Sequence, residues 1–479
     1  MLFNSWQFGF FLPITFLIYW LLPHRFRWAI MLLASCCFYC ATGARFFPLL
    51  VIVTIGSYAA GRQIESRPGK RKKMILWISV ICCILVLAVY KYLGFLIDSF
   101  TALVRLFGLT LHPFTVKLLL PLGISFYLFN VIGYLIDVYK GRIEAEKHFG
   151  IYALYVTFFP KMLAGPIERA GNLIPQLKQE RKFDSELGID GLKRILWGFF
   201  KKIVVADTLV LYVDMVYDNM SVHSGFALLL AAVFFSIQIY CDFSGYSDIA
   251  LGTAELFGFR LMENFQSPYF SSSIKEFWSK WHISLSTWFR DYVYIPLGGN
   301  RVSKPRQYWN LMVTFLTSGL WHGANWTFVL WGGLHGAVQV AEKALGIRTY
   351  KKKNVVWLLR CFLVFLFATV AWVFFRANTI GDAFYLLTHF LNGITSPASY
   401  LRTGFKAVGM TSGALVNCVL YLIPLCWYDL VSGLRNRDAR EVLSEKKAWV
   451  QWLVYIVIGL YVVFLSQKGV AAEFVYMQF

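Results

Sequence analysis

Thr317 to Trp331 reads TSGLWHGANWTFVLW, an aromatic and apolar run that holds one ionisable side chain, His322. As a helix, such a stretch covers about 22 Å of a hydrocarbon core roughly 30 Å thick. An imidazole at that depth gives up hydration unless it has a partner or a task, so an intramembrane ionisable group marks a functional site by default. Gly323 follows it and lets other backbone approach.

The rest of the chain fits a membrane setting. Of 479 residues, 58% are hydrophobic, 18% aromatic and only 15% charged, and so few charges do not cover the surface of a soluble protein of this size. Apolar runs of suitable length fall near 7–23, 28–41, 46–60, 74–97, 116–138, 195–216, 226–247, 307–321, 327–341, 354–375, 412–432 and 448–465. The expectation is an all-α polytopic membrane protein with about twelve crossings, organised as a single domain over 1–479. The stretches 151–160 and 278–297 are too short or too polar to cross, and are expected as re-entrant or interfacial pieces packed in protein. The run Phe8 to Leu22 lacks a basic segment before it and is expected as a retained first span. Nine cysteines lie in apolar stretches without metal-binding spacing and read as small buried hydrophobes, with no metal site expected.

Basic residues orient these spans. The loops 24–27, 61–73, 139–149, 161–194, 248–306, 342–353 and 433–447 hold 35 of the 46 lysines and arginines. By the positive-inside rule these loops are cytoplasmic and both termini lie outside the cytoplasm. The net charge of +20 then reflects topology and contact with anionic membrane lipid. No nucleic-acid partner is expected, because clusters such as RPGKRKK (67–73) follow spans and lack interleaved aromatics.

Four constellations carry chemistry. His322, preceded by Trp321 and followed closely by Asn325, is suited to proton exchange near neutral pH, and one such base is enough to activate a hydroxyl. KEFWSKWHISLSTWFRDYVYIPLGGNR (275–301) is tryptophan-rich and heavily charged for its depth. In it His282 follows Trp281, while Arg290 and Asp291 are placed either to pair with each other or to meet the phosphates of a cytoplasmic donor. IQIYCDFSGYSDIALGTAELFGF (237–259) sets Asp242 and Asp248 in a span, about 240° apart on a helix. They do not share a face, which argues for separate structural links. The tail AAEFVYMQF (471–479) ends on aromatics, and the Tyr476 phenol is a hydroxyl nucleophile able to carry an acyl group if a base takes its proton.

SGLWHGANWTF, FWSKWHISLSTWFRDYVYIPLGGNR and YCDFSGYSDIALG, with GPIER at 165–169, together resemble the membrane-bound O-acyltransferase family, in its alginate and peptidoglycan O-acetyltransferase-like branch. The resemblance covers about 118–376. The ending FVYMQF resembles that branch's C-terminus at Phe474, Tyr476 and Phe479, with Met477 departing from it. The tail over 466–479 is extracytoplasmic on this reading.

The resemblance implies a helical bundle around a central tunnel or funnel, with His322 and His282 as its two histidines. His322 is then the general base on an acceptor hydroxyl, and His282 orients the donor or protonates the leaving thiolate. Trp281, Arg290, Asp291, Trp321 and Asn325 are donor- or substrate-binding candidates, and Asp242 and Asp248 are structural. An acyl thioester, acetyl-CoA foremost, approaches from the cytoplasm as a substrate, with no resident cofactor. The acceptor is an extracytoplasmic polysaccharide, reached directly or through a Tyr476 relay and a partner resembling an SGNH hydrolase. A D-alanyl transferase served by a carrier protein is the alternative within the family. A transporter or flippase is disfavoured by the absence of paired broken helices in matching halves.

Overall fold

The computed structural model describes residues 1–109, 118–465 and 474. Every regular element among them is helical. Five stretches are long and apolar enough to cross a bilayer: His24–Ser66, Gly69–Leu106, Phe226–Leu256, Val355–Arg376 and Ser412–Arg435. Shorter apolar helices are Trp6–Leu21, Ile124–Tyr139 and Ala448–Phe464. Large apolar side chains stand exposed along them, including Ile52 at 67%, Phe362 at 59% and Val463 at 62%, a surface that lipid covers and water does not.

The first of these stretches shows how local sequence breaks a span. A straight helix of 43 residues would measure about 65 Å, twice the hydrocarbon thickness. The chain instead ends one helix at Gly43, makes a 3-10 turn over Ala44–Phe46 and restarts at Phe47, with Pro48 in the first turn. Helix starts elsewhere are set by polar caps: Ser5 accepts from the Phe8 amide at 3.3 Å, Asn354 from Trp357 at 3.2 Å and Thr411 from Ala414 at 3.2 Å.

Two compact units are distinguishable: residues 1–192 with 250–262, and 193–249 with 263–479. In the first, Tyr134, Tyr152 and Tyr155 pack ring against ring in a buried aromatic core. The GPIER segment is a clamp within it: Glu168 accepts from the Met262 amide at 2.7 Å, the Asn172 side chain at 2.8 Å and the Arg169 amide at 3.1 Å. The stretch expected to be re-entrant forms two short helices here, Phe149–Thr157 and Phe159–Met162, both buried.

In the second unit, Lys304–His322 and Trp326–Ala344 are joined by three residues and so run antiparallel. Gly319 and Gly332 face each other at their contact: a Cβ on Gly332 would come within 3.2 Å of the Gly319 Cα, and the Phe315 carbonyl is nearer still. Gly332 and Gly336 form a small-xxx-small face that lets two helices approach in a medium offering little hydrophobic drive between them.

The buried lysines Lys201 and Lys202 and the buried Arg194 of this unit are matched by carboxylates. The Lys202 ammonium lies 2.8 Å from Asp207 and 2.6 Å from Asp242. Lys201 lies 2.6 Å from Asp248, which Arg194 also meets at 3.1 Å, and Arg194 pairs with Glu263 as well. Asp242 and Asp248 therefore reach different lysines of the π-helical stretch Phe200–Ala206.

Candidate active site

His322 is the last residue of its helix and is 4% exposed. Its ring is walled by Trp321 at 4.9 Å, Trp331 at 4.9 Å and Phe375 at 5.4 Å between centroids. Two helices besides its own supply this wall, Trp326–Ala344 and Val355–Arg376. Such a wall shields the imidazole from bulk water.

Asn325 opens the following helix. Its side-chain oxygen caps the Thr327 amide at 3.1 Å, and its NH2 donates to the Asn378 carbonyl at 3.0 Å. Both ends of the amide hold the turn after His322, a positioning duty distinct from the donor contact expected of it.

His282 is fully buried and sits at φ 43°, ψ 54°, a left-handed conformation unusual for a residue with a side chain. Such a backbone persists when its surroundings over-determine it, and here Asn264 does so. The Asn264 carbonyl accepts from the Ile283 amide at 3.0 Å. Its side-chain oxygen accepts from the Ser284 hydroxyl at 2.6 Å and amide at 3.4 Å, and its NH2 donates to the Ser247 hydroxyl at 3.1 Å. His282 Nδ1 lies 3.3 Å from that same amide oxygen. An amide oxygen can only accept, so Nδ1 carries the hydrogen, and in the neutral ring Nε2 then keeps the lone pair.

Trp321 lies next to both imidazoles, 6.1 Å from His282 and 4.9 Å from His322. Trp281 instead joins the aromatic core, against Trp372 at 4.8 Å and Phe265 at 5.1 Å. Trp372 stacks on Trp331 at 5.6 Å, which links this core to the His322 wall. Arg290 and Asp291 pair with each other at 2.8 Å, with 59% of the arginine side chain exposed. Tyr476 lies outside the described residues. Phe474, two positions earlier, is described and is 1% exposed.

Asn264 and His335 escaped the sequence reading. His335 is fully buried one helical turn beyond Trp331, with its ring 5.0 Å from that indole, and its Nδ1 accepts from Trp278 Nε1 at 3.2 Å. The available signal was its depth, since it too is a histidine in an apolar helix.

A family model for membrane-bound O-acyltransferases matches residues 145–381. "Probable alginate O-acetylase AlgI" of Azotobacter vinelandii is 42% identical over 94% of this chain and 88% of its own length. The chain belongs to the membrane-bound O-acyltransferase family. It is therefore a membrane acyltransferase. The peptidoglycan O-acetyltransferase of Helicobacter pylori is 32% identical, with 100% of this chain and 98% of that relative covered. The teichoic acid D-alanyltransferase of Streptococcus thermophilus is 29% identical over 63% of this chain and 76% of the relative.

Proposed function

We propose that this O-acyltransferase moves acetyl groups from acetyl-CoA, bound from the cytoplasm, to an extracytoplasmic polysaccharide at the inner membrane. The observation that carries the reading is the buried, aromatic-walled His322 at the end of its helix, beside the Trp321 it shares with His282. Relatives named for alginate and peptidoglycan O-acetylation align along nearly the whole chain, whereas the D-alanyl relative covers less of it, which favours acetyl over D-alanyl transfer.

His322 removes the proton of an acceptor hydroxyl as its oxygen bonds to the thioester carbonyl carbon. The tetrahedral intermediate collapses with cleavage of the C–S bond, and the coenzyme A thiolate leaves and takes up a proton. His282, with Nδ1–H given to Asn264, offers Nε2 as an acceptor that orients the donor. In the relay form the first acceptor is the Tyr476 phenol. A second displacement at the same carbonyl then hands acetyl to an SGNH-type partner or to the polysaccharide, and the tyrosine hydroxyl is regenerated.

The test is polysaccharide acetylation in cells carrying His322→Gln at wild-type protein levels. The reading expects acetyl content to fall to background; unchanged acetylation contradicts it.

A further inference from the structure

A pocket of about 350 Å³ lies among the Ser412–Arg435, Ala439–Ser444 and Ala448–Phe464 helices. Its walls are almost wholly apolar, with Ile423, Trp427, Leu453 and Val457 at an open side where each is exposed. An apolar cavity of about 150 Å³ already binds a benzene-sized guest. Along the first helix, Ile423 to Tyr428 lie about 10–18 Å from the Arg435 end, and along the last, Leu453 to Ile458 lie about 8–15 Å from its start. One leaflet of hydrocarbon is roughly 15 Å deep. The pocket therefore opens sideways at the depth of lipid acyl chains.

Its polar end is cationic. The turn 435–447 carries five lysines and arginines against three carboxylates. Arg440, which lines the pocket, pairs with Asp438, and Arg437 pairs with Glu441 and Glu445. Arg435, Lys446 and Lys447 have no carboxylate partner among the described residues. Lys447, Gln451, Val454 and Ile458 recur at three- and four-residue spacing and share one helix face, so Lys447 stands over the pocket wall that Val454 and Ile458 form. The Lys193 ammonium lies 5.5 Å from the ring of Tyr455, another wall residue. Trp449 and Trp452, 66% and 69% exposed, mark this end as the membrane interface. Trp197, also on the wall, is 3% exposed and stacks on Tyr428 at 4.5 Å, yet its indole N–H has no acceptor among the described residues. A buried donor on an apolar wall is unsatisfied until a ligand oxygen reaches it, and an ester carbonyl supplies one.

We infer that this pocket is a binding site for an anionic phospholipid, with one acyl chain between the Ser412–Arg435 and Ala448–Phe464 helices and the phosphate at the cationic turn 435–447. A second copy of the chain or another protein would cover the apolar wall, but only a lipid brings an acyl chain and a negative charge with the spacing that wall and turn present. The excess of positive charge selects an anionic head group over a zwitterionic one, and in the orientation expected from the basic loops this end faces the cytoplasm, where anionic lipid is attracted to such segments. The inference is independent of the acyl-transfer chemistry.

Native mass spectrometry of the delipidated full-length protein in mild detergent tests it, with phosphatidylglycerol, phosphatidylethanolamine and glycerol phosphate titrated separately. Phosphatidylglycerol is expected to form a one-to-one adduct at about tenfold lower concentration than phosphatidylethanolamine, and glycerol phosphate to form none. Val457→Trp, which fills the pocket from its exposed side, is expected to abolish that adduct. The double change Lys446→Ala with Lys447→Ala alters only exposed side chains and is expected to weaken it about tenfold or more. Equal retention of the two phospholipids, or an unchanged adduct in the lysine variant, overturns the anionic head-group site. An unchanged adduct in Val457→Trp overturns the pocket as its place. Binding of glycerol phosphate as tight as that of phosphatidylglycerol overturns the acyl-chain contact, and a lipid-free dimer as the main species shows that a second copy covers this face instead.

Discussion

His282 and His322, forty residues apart in the chain, both pack against the indole of Trp321, at centroid separations of 6.1 and 4.9 Å. One side chain thereby couples a histidine held in a left-handed turn to one at a helix end. Trp321→Ala removes a wall of both. Its predicted effect is a drop in acetyl transfer of about a hundredfold with protein yield reduced less, because small misplacement of reacting groups is that expensive; transfer rates per mole of folded enzyme check it.

Asn264 fixes the tautomer and backbone of His282 through one amide. In Asn264→Ala the Ser284 hydroxyl and Ser247 hydroxyl each lose a buried partner, at a cost of about 1–3 kcal/mol apiece. Thermal unfolding in detergent should fall by several degrees, and activity should fall with it even below the new transition. At position 282 itself, His282→Asn tolerates positive φ and should fold, whereas β-branched His282→Val should not accumulate.

Gly332 and Gly333 are neighbours with opposite expectations. A Cβ at Gly332 collides with the Phe315 backbone and the Gly319 Cα, while at Gly333 it meets only the Leu316 side chain at 3.6 Å. Gly332→Ala should destabilise the hairpin that positions His322 and lower activity. Gly333→Ala should be neutral, or stabilising by up to about 1 kcal/mol through helix propensity. Melting curves of the two variants side by side decide the point.

Asp438, in the polar turn before the Ala439–Ser444 helix, accepts from the Tyr428 hydroxyl at 2.6 Å and the Arg440 amide at 2.8 Å, and pairs with the Arg440 guanidinium at 2.8 Å. Burial raises its pKa, but the Arg440 charge and these hydrogen bonds outweigh burial and bring it down to about 2 from 3.8. A depressed carboxyl stabilises the fold above its unfolded pKa and loses that contribution as pH falls through the folded value. Asp438→Asn should therefore unfold more readily than wild type at pH 7, by roughly 2 kcal/mol. The gap should stay constant down to about pH 4 and narrow below it, and melting temperatures from pH 7 to pH 3 read it directly.

The helical architecture and the burial of His322 and His282 were legible because depth and polarity conflict at those two positions; the same conflict at His335 stood one turn beyond Trp331. Asn264 was not legible: it lies in MENFQSP, without periodicity, and matters only because the fold brings it to His282, 18 residues away. The partners of Asp242 and Asp248 were half legible. Lys201 and Lys202 stand inside an apolar run, and two lysines and two aspartates at membrane depth ask to be matched. Which lysine takes which carboxylate depends on the π-helical stretch Phe200–Ala206, a backbone detail that propensity does not encode.

The measurement that tests the central claim most directly is release of free coenzyme A and transfer of radiolabel from acetyl-CoA by the purified full-length protein supplied with polysaccharide acceptor and periplasmic extract, wild type against His322→Ala. The account predicts turnover by the wild type and a loss of at least about a hundredfold in His322→Ala, with both proteins equally monodisperse and equally resistant to heating. Equal turnover by the two proteins would contradict it.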